Sequence, residues 1–336
     1  MNRRAFRADL LLLLTALLWG FGFVAQSSAM DHVGPFTYNA IRFALGSLSL
    51  LPLIAFQKRR APAAAGKKKT LRASLAAGSV LFTAVAFQQI GMLFTTVGNA
   101  GFITGFYVVL TPIFAVTLGK KTRWSTWLGM ALALSGLYFI SVAGHALSIN
   151  PGDVLILISS VFWAVHILLI DSLVKRTNPI TLSAGQFAWC GLFALIAAFA
   201  LEPHVATLAA RFLPGRTLQR WVTPAELAAA IGGLNGGGAL LVLRDAAVSI
   251  LYGGFVSVGI AYTLQVVAQK DALPAHAAIL LCLEGAFAAM GGVLLRNESL
   301  RSTTLIGFCF MLAGMIVTQL EVIRGQEPTP TPPSRD

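Results

Sequence analysis

The sequence is poor in charged residues, and this scarcity decides the class of protein. Charged residues make up 11% of the 336 residues and hydrophobic residues 56%. A soluble globular domain carries about 25% charged residues, so an ordinary water-soluble domain is excluded. The few charges are mostly of one sign, with 25 Lys and Arg against 13 Asp and Glu, a net charge of +12.

The basic excess does not indicate a nucleic-acid partner. Lys and Arg occur in short clusters between long apolar runs, for example in residues 58–72 and 120–123. Such clusters are typical of the cytoplasmic loops of membrane proteins. We therefore expect the lipid bilayer to be the solvent of this chain and no nucleic acid to be its partner.

Cysteine and enzyme signatures are also scarce. Cys190, Cys282 and Cys309 lie in apolar runs without CxxC spacing and are interpreted as buried, reduced thiols. The five histidines show no metal-ligand spacing, and HExxH, GxSxG and a Walker lysine are absent. The sequence thus disfavours a hydrolase and an ATP-driven pump, and it predicts no catalytic residue, metal or cofactor. A membrane-embedded enzyme that uses scattered polar residues stays open.

Ten apolar runs approach the roughly 20 residues that a helix needs to cross a bilayer. They are residues 9–30, 36–57, 73–93, 100–119, 125–143, 153–171, 180–200, 247–268, 274–295 and 303–323. Lys and Arg favour the loops on the side of the N-terminus, although Arg296 and Arg301 violate this trend. The bias predicts a multi-pass protein of the inner (plasma) membrane with both termini in the cytoplasm, residues 1–8 forming the N-terminal segment.

One phrase of the sequence occurs twice. "DLLLLLTALLWG" begins at Asp9, and "DVLILISSVFWA" begins 144 residues later at Asp153; each has Trp ten residues on, at Trp19 and Trp163. The match argues against a cleavable signal peptide at the N-terminus, because a discarded segment has no reason to resemble an internal helix. The sequence therefore predicts two copies of a five-helix repeat. Because five is odd, the second copy enters the membrane from the opposite side. Inverted repeats of this kind place a site between the halves and support alternating access.

Several motifs, in their order and double occurrence, resemble the EamA-type members of the drug/metabolite transporter (DMT) superfamily. They include "LLLLTALLWGFGFVAQ", "LTPIFAVTLG", "FWAVHILLI" and "LCLEGAFAAMGGVLLRNESL". The resemblance implies an all-α integral membrane protein with ten transmembrane helices as two inverted five-helix EamA repeats, at 9–143 and 153–323. It also implies secondary transport, often export, of small amino-acid-like or other organic metabolites, with protons as a coupling ion in some members.

Two ionisable residues inside apolar runs are the leading candidates for substrate binding. Arg42 is interpreted either as an anchor for a substrate carboxylate or as a structural residue that binds helix-end carbonyls. Glu284, beside Gly285, is either a carrier of a proton or partner of a substrate amine, or a carboxyl satisfied by neighbouring backbone at an irregular point of its helix.

Aromatic and amide side chains complete the predicted substrate site. Trp19 and Trp163 are expected on the facing first helices of the repeats, where they either wall the site or pack helices together. His166 lies on the same helix face as Trp163 and is either a pH-sensitive substrate contact or a core imidazole bonded to a neighbouring hydroxyl. The remaining candidates are buried polar groups that either line a central cavity or tie helices together: Gln88, Gln89, Tyr107, Tyr262 and Gln265.

The two repeats leave a long insertion and a tail. The external segment 203–246 contains a helix-start pattern, "TPAE", and a glycine-rich linker, and its Arg-rich first part suits helices at the membrane surface. Residues 324–336 read as a disordered cytoplasmic tail. The rival function is a non-transporting membrane scaffold or sensor with 203–246 as its partner surface. Small-molecule substrate and lipid are the expected partners, and a homodimer is left open.

Overall fold

A computed structural model describes residues 3–60, 66–119, 122, 124–141, 151–212, 244–296 and 302–323. These residues form helices and connecting turns, without an extended β-strand. In chain order the helices are α1 (Arg3–Ala29), α2 (Pro35–Ser49), α3 (Leu51–Arg60), α4 (Lys67–Gly91), α5 (Val97–Thr104), α6 (Tyr107–Thr117), α7 (Trp124–Ser141), α8 (Pro151–Val174), α9 (Pro179–Phe212), α10 (Ala247–Leu251), a π-helical segment (Tyr252–Tyr262), α11 (Thr263–Ala268), α12 (Pro274–Leu281), α13 (Glu284–Arg296) and α14 (Ser302–Ile323).

Eight helical segments in the described residues are long and apolar enough to cross a membrane. They are Arg4–Ala29, Pro35–Gln57, Lys68–Gly91, Val97–Thr117, Pro151–Val174, Pro179–Thr207, Ala247–Ala268 and Pro274–Arg296. The predicted spans 125–143 and 303–323 correspond to α7 and α14, which pack against each other. The chain is therefore a multi-pass, all-helical membrane protein, and the count of ten spans stays a prediction.

Large apolar side chains cover the outside of the helices as well as the core. Leu10, Leu14, Ile196 and Phe199 are between 43% and 59% exposed, although they belong to long helices. In water a continuous apolar surface would drive association, whereas lipid tails solvate it. The helices are thus apolar on nearly every face, and their polar side chains concentrate between them.

Two membrane-spanning segments are interrupted near their middle. At Gly105–Phe106, between α5 and α6, and at Cys282–Leu283, between α12 and α13, the backbone tightens into i to i−3 hydrogen bonds such as Phe106 N to Ile103 O at 3.1 Å and Gly285 N to Cys282 O at 3.1 Å. These bonds satisfy backbone groups that lipid cannot. The second interruption makes Glu284 the first residue of α13.

The described part of α9 is longer than the sequence predicted. The helix continues past residue 200 through Pro203 to Phe212, and it thereby takes in the first ten residues of the segment predicted as an external insertion. A proline within a helix removes one backbone donor, but it does not end α9 here. Residues 213–243, including the "TPAE" pattern and the glycine-rich linker, lie outside the described residues.

Candidate functional site

A cavity with an empty volume of about 400 Å³, open space at its mouth included, lies between the helices of the two repeats. Its walls come from α1, α2, α4, α5, α6, α8, the π-helical segment, α11 and α13. The lining residues are Trp19, Phe23, Gln26, Arg42, Gln88, Thr104, Tyr107, Trp163, Ile167, Ser257, Tyr262, Gln265 and Glu284. Eight of the ten residues that the sequence singled out are among them, and Gln89 and His166 are not.

Three aromatic rings form one wall of the cavity. The ring of Trp19 lies 4.4 Å from that of Tyr262 and 6.2 Å from that of Trp163, and the rings of Trp163 and Tyr262 stack at 5.9 Å. Trp19 is held by a hydrogen bond from its Nε1 to Ser257 O at 3.3 Å. The indole nitrogen of Trp163 is buried without a partner in the described structure. The wall is therefore aromatic and largely apolar, with Trp163 and Tyr262 stacked, Trp19 tilted against both by 44° and 59°, and one unused donor.

Arg42 brings a buried positive charge to the cavity. It is 1% exposed, and its guanidinium carbon lies 5.2 Å from the ring of Tyr38 and 4.9 Å from that of Phe43. Nε donates to Asn39 Oδ1 at 2.8 Å, whereas Nη2 has no partner. Among the described residues no carboxylate lies within salt-bridge distance of Arg42. The cation is thus positioned by protein groups but retains an unused donor.

Glu284 brings a buried carboxyl group to the cavity. It is 4% exposed and begins α13 directly after the helix interruption, so its carboxylate lies at the amino end of a helix, where the dipole favours an anion. The buried hydroxyl of Tyr107 lies beside it but has no hydrogen bond of ordinary geometry. The two ionisable groups of the cavity, Arg42 and Glu284, therefore face it from different helices without forming a pair with each other.

The amide side chains divide into cavity-lining and supporting groups. Gln88 Nε2 donates to Thr104 Oγ1 at 3.4 Å, and Gln265 lines the cavity with neither amide atom bonded in the described structure. Gln89 instead donates to Gln26 O at 3.4 Å and ties α4 to α1. His166 Nε2 bonds Gln186 Oε1 at 2.9 Å, and its ring lies edge-on against Trp163 at 5.9 Å. Gln89 and His166 thus support lining residues from behind.

The sequence did not single out five lining residues: Phe23, Gln26, Thr104, Ile167 and Ser257. Phe23 and Ile167 are ordinary membrane residues, and Thr104 and Ser257 are small hydroxyls that commonly bond their own helix. Gln26 is an amide near the end of an apolar run, and among these five residues it is the one that the sequence could have indicated as part of the site. In the described residues, no group of three or more His, Cys, Asp or Glu side chains is placed to hold a metal ion.

Polar contacts away from the cavity hold helices together. Glu202 of α9 caps the start of α2, where its Oε1 accepts from the backbone nitrogens of Phe36 and Thr37 at 3.1 Å each and its Oε2 accepts from the Thr37 hydroxyl. At the other end of the bundle His276 Nε2 contacts Asp9 Oδ1 at 2.8 Å and joins α12 to α1. Neither pair was predicted, because each joins residues that are far apart in sequence.

Known proteins with similar sequences are named as transporters. An "Uncharacterized transporter" of Archaeoglobus fulgidus is 29% identical over 317 residues, which cover 94% of this chain and 86% of that protein. The "Uncharacterized transporter YwfM" of Bacillus subtilis is 24% identical over 92% of both chains. The "Uncharacterized inner membrane transporter YedA" of Escherichia coli is 26% identical over 44% of this chain and 48% of its own.

Structure and family comparisons agree with these names. A solved crystal structure matches 95% of this chain and 99% of its own with a TM-score of 0.69 at 16% identity, which shows a shared fold. The model of the EamA-like transporter family matches twice, at residues 6–142 and 150–320. Together with the names of the relatives, this indicates a membrane transporter rather than an enzyme. The chain belongs to the EamA-like transporter family and contains two EamA repeats.

Proposed function

We propose that the protein is a secondary transporter that exports small amino-acid-like or related organic metabolites by alternating access. The observation that carries this proposal is the cavity between the repeats, in which the guanidinium of Arg42 and the carboxyl group of Glu284 are both buried and neither is paired with the other. Burying a charge without a partner is costly. A bound solute with complementary charges offsets that cost.

The positions of the charges suggest how a zwitterion binds. The free Nη2 of Arg42 is a donor suited to a carboxylate. Glu284 is an acceptor for an ammonium group, and the wall of Trp19, Trp163 and Tyr262 suits an apolar or flat side chain. Glu284 is also the candidate proton carrier, because solute and proton then compete for one carboxylate.

The packing of α7 on α14 supports inverted repeats. A Cβ on Gly136 would lie 2.5 Å from Gly307 O, and a Cβ on Gly314 would lie 2.7 Å from Gly129 O. Residue numbers rise along α7 while those of the contacted residues fall along α14, so the helices run antiparallel. A shift of 178 residues carries Gly129 to Gly307 and Gly136 to Gly314, so the two contacts exchange. A two-fold axis perpendicular to both helices exchanges the two contacts in this way. If α7 and α14 cross the membrane, this axis lies in the membrane plane.

A pair of hydrogen bonds gives independent support. Thr15 Oγ1 of α1 donates to Leu11 O of its own helix at 2.8 Å and, in a shared bond, to Ala261 O at 3.2 Å, and Ser159 Oγ of α8 donates to Ala84 O at 2.7 Å. Ser159 follows Thr15 by the same 144 residues that separate Trp19 from Trp163, and Ala261 follows Ala84 by 177 residues. Each half thus donates to the other half in the same way.

These relations extend to the whole chain. We propose ten spans, with repeat 9–143 and repeat 153–323 inserted in opposite directions, and residues 203–246 as an external insertion of the second repeat. The loop bias of Lys and Arg favours cytoplasmic termini, and the relative from Escherichia coli supports the inner membrane.

Uptake into proteoliposomes tests the proposal. Pooled labelled amino acids, nucleobases and amines are screened with and without an imposed proton gradient. Saturable uptake that responds to the gradient supports a proton-coupled carrier, and saturable uptake without a response leaves a facilitator. No uptake by folded protein would contradict transport of these solutes and favour the scaffold function.

A further inference from the structure

A second group of polar side chains is completely buried next to the cavity. His166, Ser183, Gln186, Gln265 and Gln269 are each 0% exposed. Six of their polar atoms have no hydrogen-bond partner in the described structure: His166 Nδ1, Ser183 Oγ, Gln186 Nε2, Gln265 Nε2 and Oε1, and Gln269 Oε1. We refer to these five residues as the polar cluster.

The polar cluster leads from the cavity towards one end of the bundle. Gln265 lines the cavity, and Gln269 lies one turn further along the same face, where it donates to Ile167 O at 3.1 Å. His166 and Gln186 join α8 to α9 between them. His166 precedes the last residue of α8 by eight positions, which is about 12 Å at 1.5 Å per residue. The cluster therefore occupies the stretch between the cavity and this end.

Both amide atoms of Gln265 are buried without a hydrogen-bond partner in the described structure. A buried polar group without a hydrogen bond is destabilising, and lipid offers no replacement. A group that is costly in one conformational state is expected to find a partner in another.

The repeat identifies that state. Shifting by 144 residues carries Asn39 to Ser183 and Arg42 to Gln186, in register with the shift from Trp19 to Trp163. The 177-residue shift between Ala84 and Ala261 carries Gln88 to Gln265. Three residues of the polar cluster, Ser183, Gln186 and Gln265, are thus the counterparts in the second repeat of Asn39, Arg42 and Gln88 in the first. If the two halves exchange conformations, the cavity opens to the opposite side of the membrane and the polar cluster becomes one of its walls.

We propose that the polar cluster is a second binding region of the solute pathway, closed in this structure and opened towards the proposed cytoplasmic side. Its amides, imidazole and hydroxyl suit uncharged hydrogen-bonding groups of a solute, such as hydroxyl and amide groups, or the water that accompanies it. This inference rests on the proposed transport function and adds a pathway segment to it.

Cysteine labelling tests the proposal without knowledge of the solute. In full-length protein with Cys190, Cys282 and Cys309 replaced by Ala, Ser183→Cys is treated with a membrane-impermeant methanethiosulfonate in inverted and in right-side-out vesicles. The matched control is Leu182→Cys, the adjacent and equally buried residue, which packs in an apolar group with Ile170 and Val266. We expect Ser183→Cys to react about tenfold faster than the control or more, and from the cytoplasmic side, since a minor state populated at 1–10% suffices.

Failure of this proposal and failure of the transport function give different results. If Ser183→Cys reacts from neither side, or only as fast as Leu182→Cys, a static water in a closed site is the better account and the proposal is wrong. Failure of the transport function shows differently, as reactive Ser183→Cys in a protein that moves no solute. As a check that does not need the thiol, Ser183→Ala should unfold at the same or a higher temperature than the wild type, and a lower temperature would show that the hydroxyl is bonded after all.

Discussion

At the scale of single residues, the proposed function depends on ionisable groups that the fold holds without pairing them with each other. Asn39 positions Arg42 through its Nε, and Asn39 is itself fixed by a hydrogen bond from its amide nitrogen to Val85 O at 3.4 Å. This arrangement leaves Nη2 for a ligand. The Tyr38 and Phe43 rings shield the cation from lipid.

Replacement of Arg42 should therefore weaken binding of carboxylates selectively. A hydrogen bond to a charged group contributes about 1.5–3 kcal/mol, so we expect Arg42→Gln to raise the KM of a transported amino acid about 10- to 100-fold. The matching amine without a carboxylate should be little affected. The measurement is uptake of both solutes by folded protein, with Arg42→Lys as the variant that keeps the charge but loses the planar fork. An equal effect on amine and amino acid would contradict the assignment.

Glu284 should determine the response to protons. In Glu284→Gln the side chain keeps its size and hydrogen-bonding capacity but can neither lose a proton nor balance an ammonium group. We expect uptake driven by a proton gradient to be lost while solute exchange at equal pH persists. A variant that still responds to the gradient would assign proton coupling elsewhere.

The sequence predicted the site residues whose side chains are unusual in membrane-spanning helices. Arg42, Glu284 and the aromatic pair Trp19 and Trp163 stand out because such side chains are costly or repeated. Ser257 was not predictable, because it acts through its backbone carbonyl and a single serine in an apolar run carries no signal. The supporting position of His166 depends on Gln186 of another helix, and such a pairing across the bundle is not written in local sequence.

At the scale of helices, the start of α2 depends on a carboxylate from another helix. No side chain of α2 or Gly34 caps this terminus, and Glu202 of α9 supplies the acceptors. The cap lies on the helix that carries Arg42. The sequence predicted both helices, yet it did not predict this contact, because α9 was expected to end before Glu202.

Loss of the cap should destabilise the protein. Glu202→Leu leaves the nitrogens of Phe36 and Thr37 without acceptors, and we expect a loss of about 1–3 kcal/mol. Glu202→Gln keeps one oxygen and should lose less. Thermal unfolding of the purified variants in detergent measures the difference. Equal stability of wild type and Glu202→Leu would show that the cap is not needed.

At the scale of the whole molecule, the two repeats are joined by contacts that come in equivalent pairs. Because five, the number of predicted helices per repeat, is odd, the second repeat is expected to be inverted relative to the first. The sequence could indicate this inversion because the repeated motifs occur in the same order in both halves. The close contacts of Gly136 with Gly307 and of Gly314 with Gly129 could not be derived from the order of residues. They require the distance between helices, which packing alone decides.

Equivalent contacts should respond equally to substitution. Gly136→Ala and Gly314→Ala each place a Cβ against backbone of the partner helix, and we expect each to cost about 1–3 kcal/mol through overpacking. Gly66→Ala is the control, because a Cβ there meets nothing within 4 Å. Unfolding in detergent measures all three. A large loss for one of the two glycines and none for the other would contradict the two-fold relation.

The most direct test of the account is solute counterflow in proteoliposomes loaded with the substrate that the screen identifies. Wild-type protein is compared with the Arg42→Gln/Glu284→Gln double variant, whose fold is verified by its unfolding temperature. The account predicts a transient accumulation of labelled solute with the wild type and none with the double variant. Counterflow that persists undiminished in the folded double variant would show that the solute is bound elsewhere and would contradict the central claim.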